Sequence, residues 1–209
     1  MFANARERSP QAVTAGDHQF RIGTQVASLY GGAVHYWRLD RDKWDAILNK
    51  VKGLGFTMIS IYIPWEVHEI EKGKFDFGQI NPSNDLDAFL TLCEEKGFTI
   101  VVRPGPQINA ELTWFGYPRR ILEDPELQAQ SAQGSKAVLT QVPRPIPALS
   151  YAADKFFDET ALWYNAICPI LAKHKYPHGG LVAGGSEELT FCETDAIVYN
   201  NKHIQSDPR

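Results

Sequence analysis

Aromatic, carboxylate, amide and histidine side chains follow four short apolar segments of this chain, where each segment ends. They lie at residues 35–38, 62–69, 103–111 and 186–188. The faces of aromatic rings pack on the C–H surfaces of a sugar ring, and carboxylates and amides hydrogen-bond to its hydroxyls. This mixture of residue types therefore indicates a site for a polyhydroxylated ligand.

Four β-α units would gather these side chains at one edge of a parallel sheet. The predicted strands cover residues 28–36, 56–63, 98–102 and 180–183. The predicted helices cover residues 42–54, 85–96, about 119–132 and about 154–174, and Pro169 is expected to kink the last helix or end it early. Residues 56–63 are almost all apolar or β-branched, which is typical of a strand buried on both faces.

Two glycines mark the junctions between these units. Gly55 follows the first helix and Gly97 the second, and a strand begins directly after each. A glycine in this place ends a helix in a repeating β-α unit. The predicted fold class is therefore α/β, and ligands of such sheets bind beyond the carboxyl ends of the strands.

Composition and charge exclude several function classes. With 21 Lys and Arg against 25 Asp and Glu, the formal net charge of −4 makes nucleic acid and anionic membranes unexpected partners. The sequence has no glycine-rich phosphate loop and no run approaching the roughly 18 apolar residues of a membrane span. The first twenty residues lack the apolar core of a signal peptide, which favours a cytoplasmic location. The cysteines form no C-x-x-C pair, so we expect free thiols at Cys93, Cys168 and Cys192.

Two histidines at strand ends raise the question of a metal site. His35 and His68 could converge with Glu69 or Glu111, but neither H-x-H nor H-E-x-x-H spacing occurs. We therefore expect each histidine to anchor a loop or contact a ligand, with no metal and no cofactor required. His174 is expected at the surface.

Several of these residues admit a structural and a functional interpretation. Glu111 could pair with Arg103, but its place directly after Asn109 and Ala110 favours ligand contact, and Arg103 is expected to orient carboxylates. For the loop tryptophans Trp65 and Trp114, stacking on a ligand is at least as well supported as packing. Core packing is expected for Trp44 and for an inward stripe of the last helix formed by Phe157, Trp163, Ile167 and Leu171.

Three long motifs resemble glycoside hydrolase family 35, the β-galactosidase family. Residues 31–38, GGAVHYWR, resemble its G-x-x-H-Y-x-R signature. Residues 59–77, ISIYIPWEVHEIEKGKFDF, resemble its T-Y-[IV]-P-W-N-x-H-E stretch, and residues 100–118, IVVRPGPQINAELTWFGYP, resemble its R-P-G-P-Y-I-[CN]-A-E-W stretch. Together the motifs cover roughly residues 29–122, and the rest of the chain matches more loosely.

The resemblance implies a TIM (β/α)8-barrel and hydrolysis of terminal β-galactosyl groups with retention. Residues 28–209 would then form about the first four β-α units of the barrel, after an N-terminal extension of residues 1–27. By the same resemblance, Tyr62, Asn109, Ala110 and Glu111 would bind the sugar, a β-galactoside or related carbohydrate.

The resemblance places the acid/base glutamate at the end of the fourth strand, after an asparagine. Here that place falls in VAGGSEELTF, so either Glu188 follows Glu187 in place of the asparagine, or Glu187 follows Ser186. We favour Glu188, because a carboxyl oxygen then precedes the acid. Glu66 and Gln107 also replace the Asn and Tyr of the family's stretches, which bears on substrate preference.

The family's nucleophile lies on the seventh strand, and no residue of this chain matches it. Because a (β/α)8 barrel takes about 250 residues, the resemblance predicts a partial catalytic domain that is inactive alone and could pair with a C-terminal half. The alternative prediction is a non-catalytic domain that binds galactosides or other carbohydrates.

Overall fold

The protein is described by a computed structural model that covers residues 13–16, 19–28, 30–139, 145–175 and 182–185. The strands are β1 (Val13–Gly16), β2 (Gln19–Ile22), β3 (Gln25–Ala27), β4 (Gly31–Ala33), β5 (Met58–Tyr62), β6 (Glu69–Glu71), β7 (Lys74–Phe75), β8 (Thr99–Arg103), β9 (Val138–Leu139), β10 (Ile146–Pro147) and β11 (Val182–Gly185). The helices are α1 (Trp44–Gly53), α2 (Trp65–His68), α3 (Leu86–Glu95), α4 (Arg119–Glu123) and α5 (Asp154–Lys173).

A parallel sheet of β4, β5, β8 and β11 forms the centre of the described structure. The four strands lie side by side in chain order, as the predicted β-α units require. In the register, Gly31 lies opposite Met58, and Tyr62 lies opposite Arg103. The predicted parallel α/β arrangement is therefore confirmed for these strands, although β4 is shorter than predicted.

One face of this sheet forms the core. Ile59 and Ile61 of β5 and Ile100 of β8 are fully buried, together with apolar residues of α1 and α3. The residues between them, such as Ser60 and Tyr62, are only half-buried. The prediction that β5 is buried on both faces is wrong. Successive side chains of a strand point to opposite faces, and in the described chain helices cover only the face that carries Ile59 and Ile61.

The glycines and a capping aspartate determine where the first helices begin and end. Gly55 and Gly97 have φ values of 89° and 73°, in the left-handed region that glycine adopts at low cost. The carboxylate of Asp85 accepts the backbone N–H of Ala88 at 3.0 Å and caps α3. Helices α1 and α3 therefore lie where their apolar stripes predicted them.

The third predicted helix is much shorter than expected. Helix α4 ends at Glu123, whereas the sequence predicted a helix to about residue 132. Pro125 lacks a backbone N–H and restricts the preceding residue, and Asp124 accordingly has an extended ψ of 116°. The chain continues into the antiparallel pair β9 and β10 instead.

Helix α5 has nearly its predicted bounds. Trp163, Ile167 and Leu171 are buried as expected, but Phe156 takes the buried place that was predicted for Phe157. Pro169 lies inside the helix and does not end it, because the burial of Leu171 holds the last turn against the core.

Two side chains differ from expectation at the end of this helix. His174 is buried, and its ring nitrogens lie 2.9 Å from Glu94 Oε1 and 3.0 Å from Asp87 Oδ1. The sequence placed it at the surface because the two carboxylates lie some 80 residues earlier in the chain. Cys93 is a buried free thiol as predicted, whereas Cys168 is disulfide-bonded.

The residues that precede the parallel sheet form a separate small antiparallel sheet. Within residues 13–27, β1, β2 and β3 pair antiparallel in chain order. In the part of the chain that the structure covers, no helix has the length and apolar character to cross a membrane.

Candidate active site

The carboxyl ends of β4, β5 and β8 bring side chains from three motifs together. Just after β4, Trp37 donates from Nε1 to the carbonyl of Tyr62 at 3.1 Å. Arg38 donates from Nη2 to the carbonyl of Ala110 at 2.5 Å. These two bonds connect the first strand end to the second and third, so Tyr62, Ala110 and Glu111 lie in one region as the sequence predicted.

Tyr62 is held in place by two neighbouring side chains. Its ring centroid lies 5.4 Å from that of His35, and the guanidinium carbon of Arg103 lies 4.9 Å from the Tyr62 ring centroid. Arg103 also donates from Nη1 to the Tyr62 hydroxyl oxygen. Tyr62 therefore presents a fixed phenol at the strand edge. In the described residues Arg103 orients this phenol rather than the carboxylates that the sequence analysis assigned to it.

Glu111 is exposed and has a constrained backbone. Its φ is +50°, which is uncommon for a residue with a side chain, and its side chain is 84% exposed. Arg38 Nη1 lies 3.5 Å from Glu111 Oε2, so the alternative of a Glu111–Arg103 pair is wrong. Backbone strain of this kind is enriched at ligand-binding sites, and the carboxylate is accessible to a ligand.

Ala110 and Asn109 complete the described part of the candidate site. Ala110 is 2% exposed, so its carbonyl can serve as a rigid acceptor for Arg38. Asn109 is exposed at the same loop. Glu187 and Glu188, the two candidates for the acid/base, lie outside the described residues; the strand before them, β11, pairs with β8 and aligns Gly185 with Val102.

Arg38 was expected at a strand end, but its contact with the 110–111 loop was not predicted. Its guanidinium lies 4.4 Å from the Trp37 ring centroid while it bonds to the 110–111 backbone and approaches the Glu111 carboxylate. The signal was its place in the HYWR motif directly after a strand. Its partner is 72 residues away, and sequence spacing alone does not identify such a contact.

Trp65 does not act in ligand binding. It is fully buried, and its ring stacks on Trp163 with centroids 6.3 Å apart and planes 8° apart. The stacking interpretation is therefore wrong for Trp65, which is a core residue. Trp114 is partly buried and packs against the same core.

His68 anchors a loop, as expected of a histidine outside a metal site. Its Nδ1 lies 2.8 Å from the carbonyl of Asp76, and since a carbonyl only accepts, Nδ1 carries the proton. Nε2 therefore accepts from the Tyr36 hydroxyl at 2.6 Å. Burial lowers the pKa of His68 to about 4, so the ring is neutral. No group of three potential metal ligands occurs among the described residues.

Glu69 is also engaged in structure. Both of its carboxylate oxygens accept from Arg120, at 2.7 and 2.8 Å, and Arg120 bonds in turn to Glu159 at 2.5 Å. The side chains of Glu69 and Glu159 are 2% and 4% exposed. This network joins β6 to α4 and α5, and it leaves Glu69 without a free oxygen edge for metal binding.

Glu66, in helix α2 just after β5, is a described carboxyl group with a strongly raised pKa. Its backbone N–H donates to Gly116 O at 2.8 Å, which ties α2 to the loop after β8. Burial raises the pKa of its side chain to about 7. A carboxyl group with this pKa changes its charge near neutral pH.

A parallel β-α sheet with aromatic, carboxylate and arginine side chains at its carboxyl edge is typical of enzymes built on β-α barrels. The sequence profile of Glycosyl hydrolases family 35 matches residues 19–138. The chain belongs to this family.

Curated relatives agree with this assignment. The chain is 32% identical over 182 residues to the exo-β-D-glucosaminidase of Thermococcus kodakarensis, covering 84% of this chain and 22% of that protein. It is 35% identical over 153 residues to the β-1,2-glucosyltransferase of Ignavibacterium album, covering 73% and 21%. It is 30% identical over 169 residues to mouse β-galactosidase, covering 81% and 23%. The chain thus spans about a fifth of the length of these relatives.

The fold is shared with solved β-galactosidases. The β-galactosidase of the haloarchaeon Halorubrum lacusprofundi superposes with a TM-score of 0.52 at 19% identity, covering 74% of this chain and 20% of the enzyme. The likeness supports the barrel-type arrangement of the parallel strands.

We expect Tyr36→Phe to destabilise the protein by about 1–3 kcal/mol, because it leaves the buried Nε2 of His68 without a donor. The urea midpoint at pH 7 measures the loss. Tyr30→Phe is the matched control, since Tyr30 is 66% exposed and should change the free energy of unfolding little. Equal midpoints for the two variants would contradict the assigned hydrogen bond.

Glu66→Gln should stabilise the protein at pH 8 and not at pH 4. The folded-state pKa of Glu66 is about 7, against an ordinary value of 4.5. The native state therefore holds the proton more tightly, and stability falls as pH rises from 4.5 through 7. Because the side chain is half-exposed, we expect a gain on the order of 1 kcal/mol at pH 8.

Urea unfolding of wild type and Glu66→Gln at both pH values measures this difference. Glu95→Gln, at an exposed position of α3, serves as the control. A gain that is the same at pH 4 and pH 8 would show that ionisation of Glu66 is not its cause.

Proposed function

We propose that this chain forms part of the catalytic domain of a glycoside hydrolase that acts on β-galactosides or related β-glycosides. The observation that carries the proposal is the joining of Tyr62, Ala110 and Glu111 by Arg38 and Trp37 at the carboxyl edge of the parallel sheet. Membership of family 35 supports the reaction class. The relatives include an exo-β-D-glucosaminidase and a β-galactosidase by name, which supports β-glycosides as the substrate class.

In this proposal Tyr62, Asn109, Ala110 and Glu111 hold the sugar. The fixed phenol of Tyr62 and the accessible carboxylate of Glu111 supply hydrogen-bonding groups from two neighbouring strand ends. Arg38 keeps the 110–111 backbone in the conformation that presents Glu111.

Glu188, or alternatively Glu187, would supply the acid and base of a retaining reaction. The acid protonates the leaving oxygen, and the same residue then deprotonates water. The partner carboxylate, about 5–5.5 Å away in retaining enzymes, acts as nucleophile. No residue of this chain matches it, so the proposal assigns it to further β-α units in a C-terminal half of the barrel. The two steps use carboxyl groups only and require no cofactor.

The purified 209-residue chain is expected to bind galactose and to hydrolyse an aryl β-galactoside little or not at all. Calorimetry measures binding, and release of the aryl group measures turnover. Glu111→Gln should weaken binding about tenfold, because a charged acceptor is lost, while the surface variant Glu95→Gln should bind as wild type does.

Two results would overturn parts of this proposal. Absence of binding to galactose and to other β-linked sugars would remove the proposed function. Turnover that is abolished by Glu188→Gln or Glu187→Gln, with the fold unchanged by circular dichroism, would contradict the expected inactivity and identify the acid.

A second candidate function is carbohydrate binding without hydrolysis. It is favoured because Tyr62, Ala110 and Glu111, which the structure brings together, are residues that the family resemblance assigns to binding rather than to bond cleavage. The two candidates differ in one measurement. Joining the chain to a family C-terminal half should create turnover in the first case and none in the second.

A further inference from the structure

We propose that His35 is a sugar-binding residue that donates a hydrogen bond from Nε2 to one hydroxyl of the ligand. This inference rests on the proposed function and adds a contact that neither the family motif roles nor the relatives assign. Its basis is the position of the imidazole, the burial of one of its nitrogens, and the charges around it.

His35 lies at the centre of the aromatic part of the site. It directly precedes the turn of Tyr36–Arg38 at the end of β4. Its ring centroid is 5.4 Å from Tyr62 and 5.5 Å from Trp37, with planes inclined by 46° and 42°. A ligand that reaches the Tyr62 phenol therefore lies beside the imidazole as well.

Only one edge of the His35 ring is available to a ligand. Nδ1 is buried and has no hydrogen-bond partner among the residues that the structure covers. The residue as a whole is half-buried, and Nε2 is the other ring nitrogen that could meet a ligand.

The burial of Nδ1 determines which nitrogen carries the proton. An N–H group sealed in the protein without an acceptor is rarer and more costly than an acceptor that lacks a donor. The proton is therefore placed on Nε2. His68 has the opposite tautomer, because there a carbonyl accepts from Nδ1.

The surrounding charges keep the imidazole neutral. Burial and the Arg38 guanidinium lower the pKa of His35, and the Glu111 carboxylate opposes this shift in part. The Arg103 guanidinium carbon lies 4.9 Å from the centroid of the neighbouring Tyr62 ring. A neutral imidazole brings no charge to attract an anion, and its N–H can donate to an uncharged hydroxyl.

A set of deoxygenated sugars distinguishes a direct contact from simple packing. The 209-residue chain and its His35→Phe variant, which keeps an aromatic ring, are titrated with galactose and with its 2-, 3-, 4- and 6-deoxy derivatives. Wild type should lose about fivefold in affinity for the derivative that lacks the contacted hydroxyl. His35→Phe should bind galactose about fivefold more weakly and show no further loss with that derivative. Its other deoxy-sugar losses should equal those of wild type.

His35→Gln, which retains a donor amide, should recover part of the lost discrimination. Tyr30→Phe, at the amino end of the sheet, is the control and should leave all affinities unchanged.

A second measurement tests the tautomer without any ligand. Nitrogen NMR of the ring, assigned by the signals lost in His35→Phe, should show the proton on Nε2, and a proton on Nδ1 would overturn the inference. If wild type binds sugars and His35→Phe retains the same deoxy-sugar losses, the inference fails while the proposed function stands. If wild type binds no sugar, the proposed function fails and the ligand contact of His35 with it.

Discussion

The parallel pairing of β5 with β8 is the constraint on which both the core and the candidate site depend. Its register places Tyr62 opposite Arg103 and Ile61 opposite Val102. Because side chains alternate along a strand, the same hydrogen bonds bury Ile61 under the helices and leave Tyr62 on the open face. A shift by one residue would exchange the two faces of either strand. Core packing therefore fixes the position of the Tyr62 phenol in the candidate site.

Much of this fold could be predicted where local rules act alone. Gly55 and Gly97 end helices because they adopt positive φ, and the Asp85 cap and the apolar stripes set the bounds of α1 and α3. The prediction failed where a single residue or a distant partner decides. Pro125 ends α4 nine residues before its predicted end. The exposure of one face of β5 depends on which distant elements cover the sheet.

The candidate site shows the same division between local and distant causes. The strand-end positions of Tyr62, Ala110 and Glu111 followed from the β-α repeat, since parallel strands end at one edge. The choice of Arg38 over Arg103 as the partner of Glu111 depends on the turn after β4, which no periodicity reveals. Trp65 looked like a stacking residue because it follows a strand, but the α5 side chain Trp163 covers it.

The bond from Arg38, in the turn after β4, to Ala110 joins residues 72 positions apart in the sequence. In the described chain, β4 pairs with β5 on one side. Edge strands of this kind detach at lower free energy than central strands. When β4 detaches, Arg38, Trp37 and His35 leave together, and Glu111 loses the groups that orient it. A ligand that contacts both the residues after β4 and the 110–111 loop would therefore stabilise the attachment of β4 to the sheet. Because such a ligand binds only while β4 is attached, ligand binding would raise the free energy needed to open this edge of the sheet.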